Sequence, residues 1–325
     1  MRRGNTRPSV GLRFPRKDDN LEAEPQERYF GPFLQRGTSV RSFQVKTIAL
    51  IARPRKEEAI TVARELIAAF PDRRFLVEPH LGEPLGMAPT NNDEICQTAE
   101  LAIVLGGDGT LIHGARVLRG RPVPILGVNL GALGFMTEIP VAEAVSTLRQ
   151  VLEGKAMIDS RMKLDCRLYR QEELILEDEV LNDVVINKSA LAKISAHETW
   201  LDGAFVATYL SDGVIFSTPT GSTAYSLSAG GPIVHPSVDC VVVTPICPHA
   251  LTQRPIVVPG DQVMSVRLAS DLEDVYLTVD GQVGHALKKG DRIEVQKSAH
   301  RLLLVRNQKL DYFAILRQKL HWGER

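Results

Sequence analysis

The densest chemistry in the sequence lies at Leu101-Ala-Ile-Val-Leu-Gly106-Gly107-Asp108-Gly109-Thr110, where an apolar run turns through three glycines and one aspartate into a helical pattern. Glycine lets backbone N–H groups approach an anion closely, and the start of a following helix adds positive potential. Gly106, Gly107, Gly109 and Thr110 are therefore candidate phosphate-binding positions. Asp108 would repel a phosphate, so its presence suggests a different role, either accepting a proton from an attacking hydroxyl or helping to hold a metal. The plainer reading of the same residues is a tight turn in which aspartate is favoured. There is no GxxxxGK[ST] segment, so the pattern is not that of a P-loop enzyme.

Two further clusters could complete such a site. From Ser211 to Pro232 an apolar strand pattern ends in a loop dense in Ser, Thr and Gly, with a short helix expected near Ser222. Hydroxyls and free amides there suit the sugar and phosphates of a nucleotide, and Tyr225 offers a flat face; helix capping explains the same hydroxyls without a ligand. Asn182-Asp183 sits between strand-like runs around Val180 and Val184. An adjacent amide and carboxylate can read ribose hydroxyls, or can simply form an Asx turn.

The elements that must position these residues alternate in the first half. Lys46–Ala52, Arg74–Val77, Leu101–Leu105 and Val123–Val128 read as buried strands. Glu57–Phe70, a short helix capped by Asn92, Thr110–Leu118 and Pro140–Leu152 read as helices between and after them. This alternation predicts a Rossmann-like α/β domain with a parallel sheet over residues 45–154, placing the glycine turn at the carboxyl end of a strand, where ligands bind. After Gly154 the period becomes two: Met162, Leu164, Cys166 and Leu168 alternate with Lys163, Asp165 and Arg167. Further strands are expected around Val184, Phe205, Ile215, Val241, Val266, Tyr276 and Ile293, with turns at Asp202-Gly203, Pro259-Gly260-Asp261, Asp280-Gly281 and Gly290-Asp291. Residues 155–305 thus predict a mostly β, β-sandwich-like domain. Residues 306–325, with Tyr312, Phe313, Ile315 and Leu316, are too apolar for a free tail and are expected to dock back on the body. Residues 1–44 mix Arg, Pro, Gly and acidic residues without periodicity, and predict a disordered extension or an early start.

Composition bounds the function. The 325 residues carry 39 Lys+Arg and 39 Asp+Glu, a balance that argues against a general nucleic-acid binder. No apolar run reaches the roughly 18–20 residues of a membrane helix, and the Arg-rich start lacks a signal-peptide core. Cys96, Cys166, Cys240 and Cys247 form no CxxC pair, which suits a reducing cytoplasm. The eight histidines form no metal-binding cluster, and His113, His235 and His249 each read as structural.

From about Lys46 to Leu320 the sequence resembles the NAD kinase family. GGDGT alone is shared with diacylglycerol and sphingosine kinases and, as GGDG, with 6-phosphofructokinases. Asn182-Asp183, the stretch from Ser211 to Pro236, and Asn129-Leu-Gly-Ala-Leu-Gly-Phe135 resemble NAD kinases specifically. The resemblance implies a two-domain enzyme that transfers a terminal phosphoryl group to the 2′-hydroxyl of the adenosine ribose of NAD, giving NADP. It implies Asp108 as proton acceptor with Gly109 beside it. Asn182, Asp183, Asp212, Thr223, Ala224, Tyr225, Ser226, Leu227, Ser228 and Gln282 are implied as NAD contacts. Lys193 falls where members often place a basic or polar contact, though a solvated surface lysine accounts for it nearly as well. Leu210 departs from the Arg or Gly of several bacterial members, leaving ATP and inorganic polyphosphate both open as donors. Mg²⁺ is expected to travel with the donor's phosphates, without a dedicated protein site. A cytoplasmic homo-oligomer, dimer or tetramer, is implied. The rivals are a diacylglycerol-type lipid kinase and a non-catalytic NAD(P) sensor.

Overall fold

The structure, a computed structural model, describes residues 45–54, 56–189, 193–271 and 274–322. The N-terminal extension expected over residues 1–44 lies outside them. The first half runs β1 (Thr47–Ala52), α1 (Glu57–Ala69), β2 (Arg74–Val77), α2 (Pro79–Leu85), α3 (Asn92–Thr98), β3 (Leu101–Gly106), α4 (Asp108–Leu118), β4 (Pro124–Asn129), β5 (Ile139–Pro140) and α5 (Ala144–Leu152). Strands β2, β1, β3, β4 and β5 pair parallel in that order. Both faces are covered, as the buried apolar runs 48–52, 101–105 and 125–128 require. Ala59, Val62 and Leu66 of α1 and Leu148 of α5 pack on one face, and Ile95 of α3 with Leu111 and Ala115 of α4 on the other.

The second half is β6 (Ile158–Arg170), β7 (Glu173–Val180), β8 (Asp183–Lys188), β9 (Ser195–Leu201), β10 (Ala204–Ser211), β11 (Gly213–Ser217), α6 (Tyr225–Ser228), β12 (Cys240–Ile246), β13 (Ile256–Pro259), β14 (Met264–Leu268), β15 (Val275–Val279), β16 (Val283–Ala286), β17 (Arg292–Val305) and α7 (Tyr312–Leu320). One antiparallel sheet has the order β13-β12-β11-β8-β15-β16. Its Val184, Ile186, Val214, Phe216, Val241 and Leu277 share one core with Met162, Leu164, Cys166, Met264, Ile293 and Val295 of the other sheet.

That other sheet is continuous with the α/β half. The 14-residue β17 pairs antiparallel with β6 along its length and parallel with β4 at Leu303 and Leu304. A single strand therefore sets the position of the glycine turn relative to the β half. In α7, Tyr312, Ile315 and Leu316 are buried. Among the described residues no helix is long and apolar enough to cross a membrane.

Several local expectations shift. Asn91, not Asn92, caps α3, its side chain accepting the Glu94 N–H at 2.8 Å. Helix α4 begins at Asp108 rather than Thr110, with Gly107 as its cap. The segment expected as one helix from Pro140 opens with the two-residue β5 and a 3₁₀ turn over Val141–Glu143 before α5. Sequence periodicity does not reveal α2, which holds prolines at both its start and its interior and so shows no helical stripe. Nor does it reveal β9, whose inward side chains are Ser195, His197 and Thr199, so the usual apolar-in alternation is absent.

Candidate functional site

The glycine turn is built from the end of β3 and the first turn of α4. Gly106 is buried, and a Cβ there would overlap the Thr110 side chain. Gly107 and Gly109 differ. Both are exposed, neither has a positive φ, and a Cβ on either would meet no protein atom. Neither backbone strain nor protein packing accounts for glycine at these two positions. Beside them opens a cavity of about 310 Å³, bounded by Ala52, Arg53 and Pro54 at the end of β1, by Gly107, Gly109 and Thr110, and by His113.

Asp108 is half-buried and held by the loop before β5. Its Oδ2 accepts the Phe135 N–H at 2.8 Å; its Oδ1 accepts the N–H groups of Met136 and Thr137 and the Thr137 hydroxyl, each at 3.0 Å. An ionised carboxylate offers about four lone-pair positions. Oδ1 is thus saturated, while Oδ2 keeps one position open. Gly134 makes this clamp possible, since a Cβ there would overlap both Asp108 Oδ1 and Thr137 Oγ1.

A second aspartate does the same for the β half. Asp280, at the turn between β15 and β16, accepts the N–H groups of Leu181 (3.0 Å to Oδ2), Asn182 (2.6 Å to Oδ1) and Asp183 (3.2 Å to Oδ1). The Asp183 carboxyl beside it is buried and receives no hydrogen bond from the described residues; burial first, and the Asp280 carboxylate second, push it up to about 7. Burial also raises Asp280, against the three amides that favour its charge. Of the two, Asp183 has the less supported charge, because the amide donors point at Asp280.

These groups are linked. Gln282, two residues after Asp280, donates from Nε2 to the Gly109 carbonyl at 3.1 Å, joining the β15–β16 turn to the glycine turn. The Asn182 carbonyl accepts the Thr218 N–H at 2.9 Å, and Thr218 Oγ1 donates to the Leu181 carbonyl at 2.6 Å. Gly221 rests on Asn182 so closely that a Cβ would overlap its backbone. The segment that follows, a 3₁₀ turn over Gly221–Thr223 and the single turn of α6, is therefore fixed to Asn182. Asn182 Oδ1 is buried without a partner among the described residues, an acceptor awaiting a donor.

The predicted residues divide accordingly. Asp108, Gly109, Gln282, Asn182, Asp183 and the Thr223–Ser228 segment form one connected constellation. Within that segment Tyr225 and Ser228 are exposed and Ala224 and Leu227 half-buried. Thr223 donates to the Thr220 carbonyl, and Ser226 turns inward, its hydroxyl 2.9 Å from Thr244 Oγ1. Asp212 instead pairs with Lys188 at 3.2 Å. Lys193 is exposed and makes no hydrogen bond or ion pair with described residues. Sequence reasoning missed Asp280 as a site-building residue and took Asp280-Gly281 as a turn alone; the signal available was an aspartate two residues before the Gln282 contact. It also missed the Phe135–Thr137 amides, which carry no side-chain signature.

Comparison with known proteins decides the family. A model of the ATP-NAD kinase N-terminal domain matches residues 48–156, and one of the ATP-NAD kinase C-terminal domain matches residues 181–307. The chain belongs to the NAD kinase family. It is similar to an NAD kinase of Geobacter metallireducens, 50% identical over 283 residues that cover 86% of this chain and 100% of the relative. An NAD kinase of Solibacter usitatus is 42% identical over 284 residues, covering 86% and 99%. Among solved structures, yeast NADH kinase complexed with NADH superposes with a TM-score of 0.83 at 26% identity, covering 87% of this chain and 89% of that one. An Archaeoglobus fulgidus NAD kinase in complex with ATP shares the fold, with a TM-score of 0.67 at 23% identity, covering 84% and 99%. The family match sets aside the lipid-kinase alternative, and with it the non-catalytic sensor: the chain is an enzyme, a phosphotransferase.

Proposed function

We propose that Asp108 is the general base with which this kinase deprotonates the 2′-hydroxyl of the adenosine ribose of NAD. The reaction is phosphorylation of NAD to NADP by ATP. The observation that carries the assignment is the asymmetry of the Asp108 carboxylate: Oδ1 is saturated by the loop, and Oδ2 retains a lone pair at the glycine turn. As the ribose oxygen bonds to the γ-phosphorus, its proton passes to Oδ2 and the bond to the bridging oxygen of ADP breaks. Because phosphoryl transfer needs mainly positioning and charge neutralisation, the open Gly107 and Gly109 amides and the α4 start can serve where a P-loop lysine would elsewhere.

On the acceptor side, the buried Asn182 Oδ1 and the Asp183 carboxyl bind ribose hydroxyls, with Tyr225 and its neighbours against the nucleoside. Gln282 bridges the two sides. Asp212 and Lys193 join the NAD contacts only as secondary members, since the described contacts do not bring them to Asp108. Mg²⁺ enters with the phosphates of ATP, the coordination this ion prefers. Among the described residues no group of three or more His, Cys, Asp or Glu side chains is placed to hold a metal. In this reading residues 45–154 carry the donor side, 155–305 the NAD side, and 306–325 close back on the body of a cytoplasmic homo-oligomer. Coupled detection of NADP from NAD, ATP and Mg²⁺ tests the reaction, and failure to form NADP overturns it. Light scattering tests the assembly.

A further inference from the structure

The cavity beside the glycine turn contains two side chains able to carry positive charge, Arg53 and His113. None of the proposed NAD contacts beyond Gly109 lines it; its walls come from β1, the glycine turn and α4. His113 lies on α4, one turn beyond Asp108, and is partly exposed, with 43% of its side chain accessible. Its Nε2 is 2.7 Å from Oε1 of Glu78, whose side chain is only 4% exposed. The other Glu78 oxygen accepts the Ala52 N–H at 3.1 Å, and Ala52 is itself part of the cavity wall. The imidazole is thus fixed between the ends of two strands, with Nδ1 unpartnered among the described residues. A surface histidine serving only as helix decoration has no need of a buried carboxylate to aim it.

We propose that His113, oriented by Glu78, is a further contact to the phosphoanhydride chain of the donor, and that it governs donor binding without touching NAD. This rests on the assignment of the glycine turn to donor phosphates. A phosphate chain carries several negative charges, and the turn supplies amides but no lysine, so a cationic side chain in its wall complements the ligand. The hydrogen bond that His113 donates to Glu78 raises the proton affinity of the ring, while burial and Arg116 on the same helix oppose it. Glu78 therefore both aims the ring and favours its charged form. The proposal departs from the reading of His113 as structural.

The test compares wild type with His113→Gln, Glu78→Gln and His113→Lys. His113→Gln should raise KM for ATP about tenfold, the loss of one charge-assisted hydrogen bond, with KM for NAD changed by less than about twofold. Glu78→Gln should move KM for ATP the same way by less, and His113→Lys, which restores a cation, should recover part of the loss. Calorimetric binding of inorganic tripolyphosphate with Mg²⁺ should weaken in parallel in His113→Gln, which places the contact on phosphates rather than on the nucleoside. Unchanged KM for ATP in a His113→Gln chain of normal Tm overturns the inference, as does an equal rise in KM for NAD. A wild type that forms no NADP, yet binds tripolyphosphate in a His113-dependent way, would sink the reaction assignment and leave this contact standing.

Discussion

Two Asp-Gly pairs organise the molecule, and they look alike until their surroundings are compared. Asp108-Gly109 opens α4, and its carboxylate gathers the N–H groups of Phe135, Met136 and Thr137. Asp280-Gly281 turns between β15 and β16, and its carboxylate gathers the N–H groups of Leu181, Asn182 and Asp183. Each uses one aspartate side chain to hold three successive amides, a device that shapes a loop without a core beneath it. The difference is access. Asp280 is 8% exposed and faces a second buried carboxyl, whereas Asp108 is half-buried and adjoins glycines open to a cavity. The same clamp leaves one Oδ2 position unused in each, on a buried carboxyl in one half and beside an open cavity in the other. A carboxylate already immobilised by its loop needs little reorganisation to accept a proton, so shaping the loop and serving as base are compatible roles.

The sharpest way to break this comparison is Asp108→Asn. The amide oxygen can take the place of Oδ1 and keep its three partners, while the NH₂ replaces Oδ2, the atom assigned as base, and faces the Phe135 N–H as a second donor. We expect kcat to fall by at least roughly two orders of magnitude, within the usual range of about 10²–10⁴ for general bases, with NAD affinity nearly kept. The lower end is favoured because a loose transition state needs less help from a base. Calorimetric NAD binding beside kcat checks it. Near-normal turnover would reduce Asp108 to a loop clamp, the same office as Asp280.

Asp280→Ala should show the opposite profile. It orphans amides that are buried with it, at about 1–3 kcal/mol for each left unsatisfied, so a stability loss of about 3 kcal/mol or more is expected in urea unfolding. Turnover per folded molecule should change far less than in Asp108→Asn. Asp183 sharpens the same side through pH. Its folded carboxyl lies at about 7 against an ordinary 3.8, so between those values the folded state holds a proton that the unfolded chain releases. That stabilising contribution is complete below about pH 4 and is lost as pH rises through about 7. At about 1.4 kcal/mol per pH unit, the full difference is on the order of 4 kcal/mol. Asp183→Asn mimics the protonated form. It should match wild type at low pH and exceed it in Tm at pH 8; parallel pH profiles would show that Asp183 is ionised in the fold.

The first clamp was partly legible in the sequence and the second was not, for a physical reason. GGDGT announces itself because three glycines and an aspartate between a strand and a helix have few other uses, and the parallel alternation around it follows from apolar runs and stripes. Asn182-Asp183 is a candidate on its residue types and Gln282 only through resemblance, and the structure links both to Gly109. Asp280 hid because an Asp-Gly hairpin turn already explains itself. The partners of both carboxylates hid because they are backbone amides, which every residue except proline has. The shared sheet was equally silent: nothing in the composition of β17 indicates that its last residues pair with β4. Buried polar strands such as β9 defeat periodicity for the same reason, that burial there follows hydrogen bonding rather than hydrophobicity.

The finest separation of the two regions uses two glycines, one under each. A Cβ at Gly134 overlaps Asp108 Oδ1 and Thr137 Oγ1, and a Cβ at Gly221 overlaps the Asn182 backbone. Neither glycine has a positive φ, so Gly134→Ala and Gly221→Ala act through contact and not through backbone strain. Gly134→Ala must push the Phe135–Thr137 loop off Asp108 or turn the carboxylate away, which displaces Oδ2 from its aim. Misplacement of a reacting group by about 1 Å can cost up to about 10²-fold, and a partial adjustment should lower kcat about tenfold with KM for NAD little changed. Gly221→Ala must instead move the Thr223–Ser228 segment relative to Asn182, so KM for NAD should rise several-fold while kcat at saturation stays within about threefold. The neighbours differ in how readily they yield: Gly134 meets two side-chain oxygens, Gly221 a backbone already paired with Thr218. Gly221→Ala should therefore also cost more Tm. If both variants lower kcat alike, donor and acceptor sides are not separable, and the two clamps form one catalytic unit through the Gln282–Gly109 hydrogen bond.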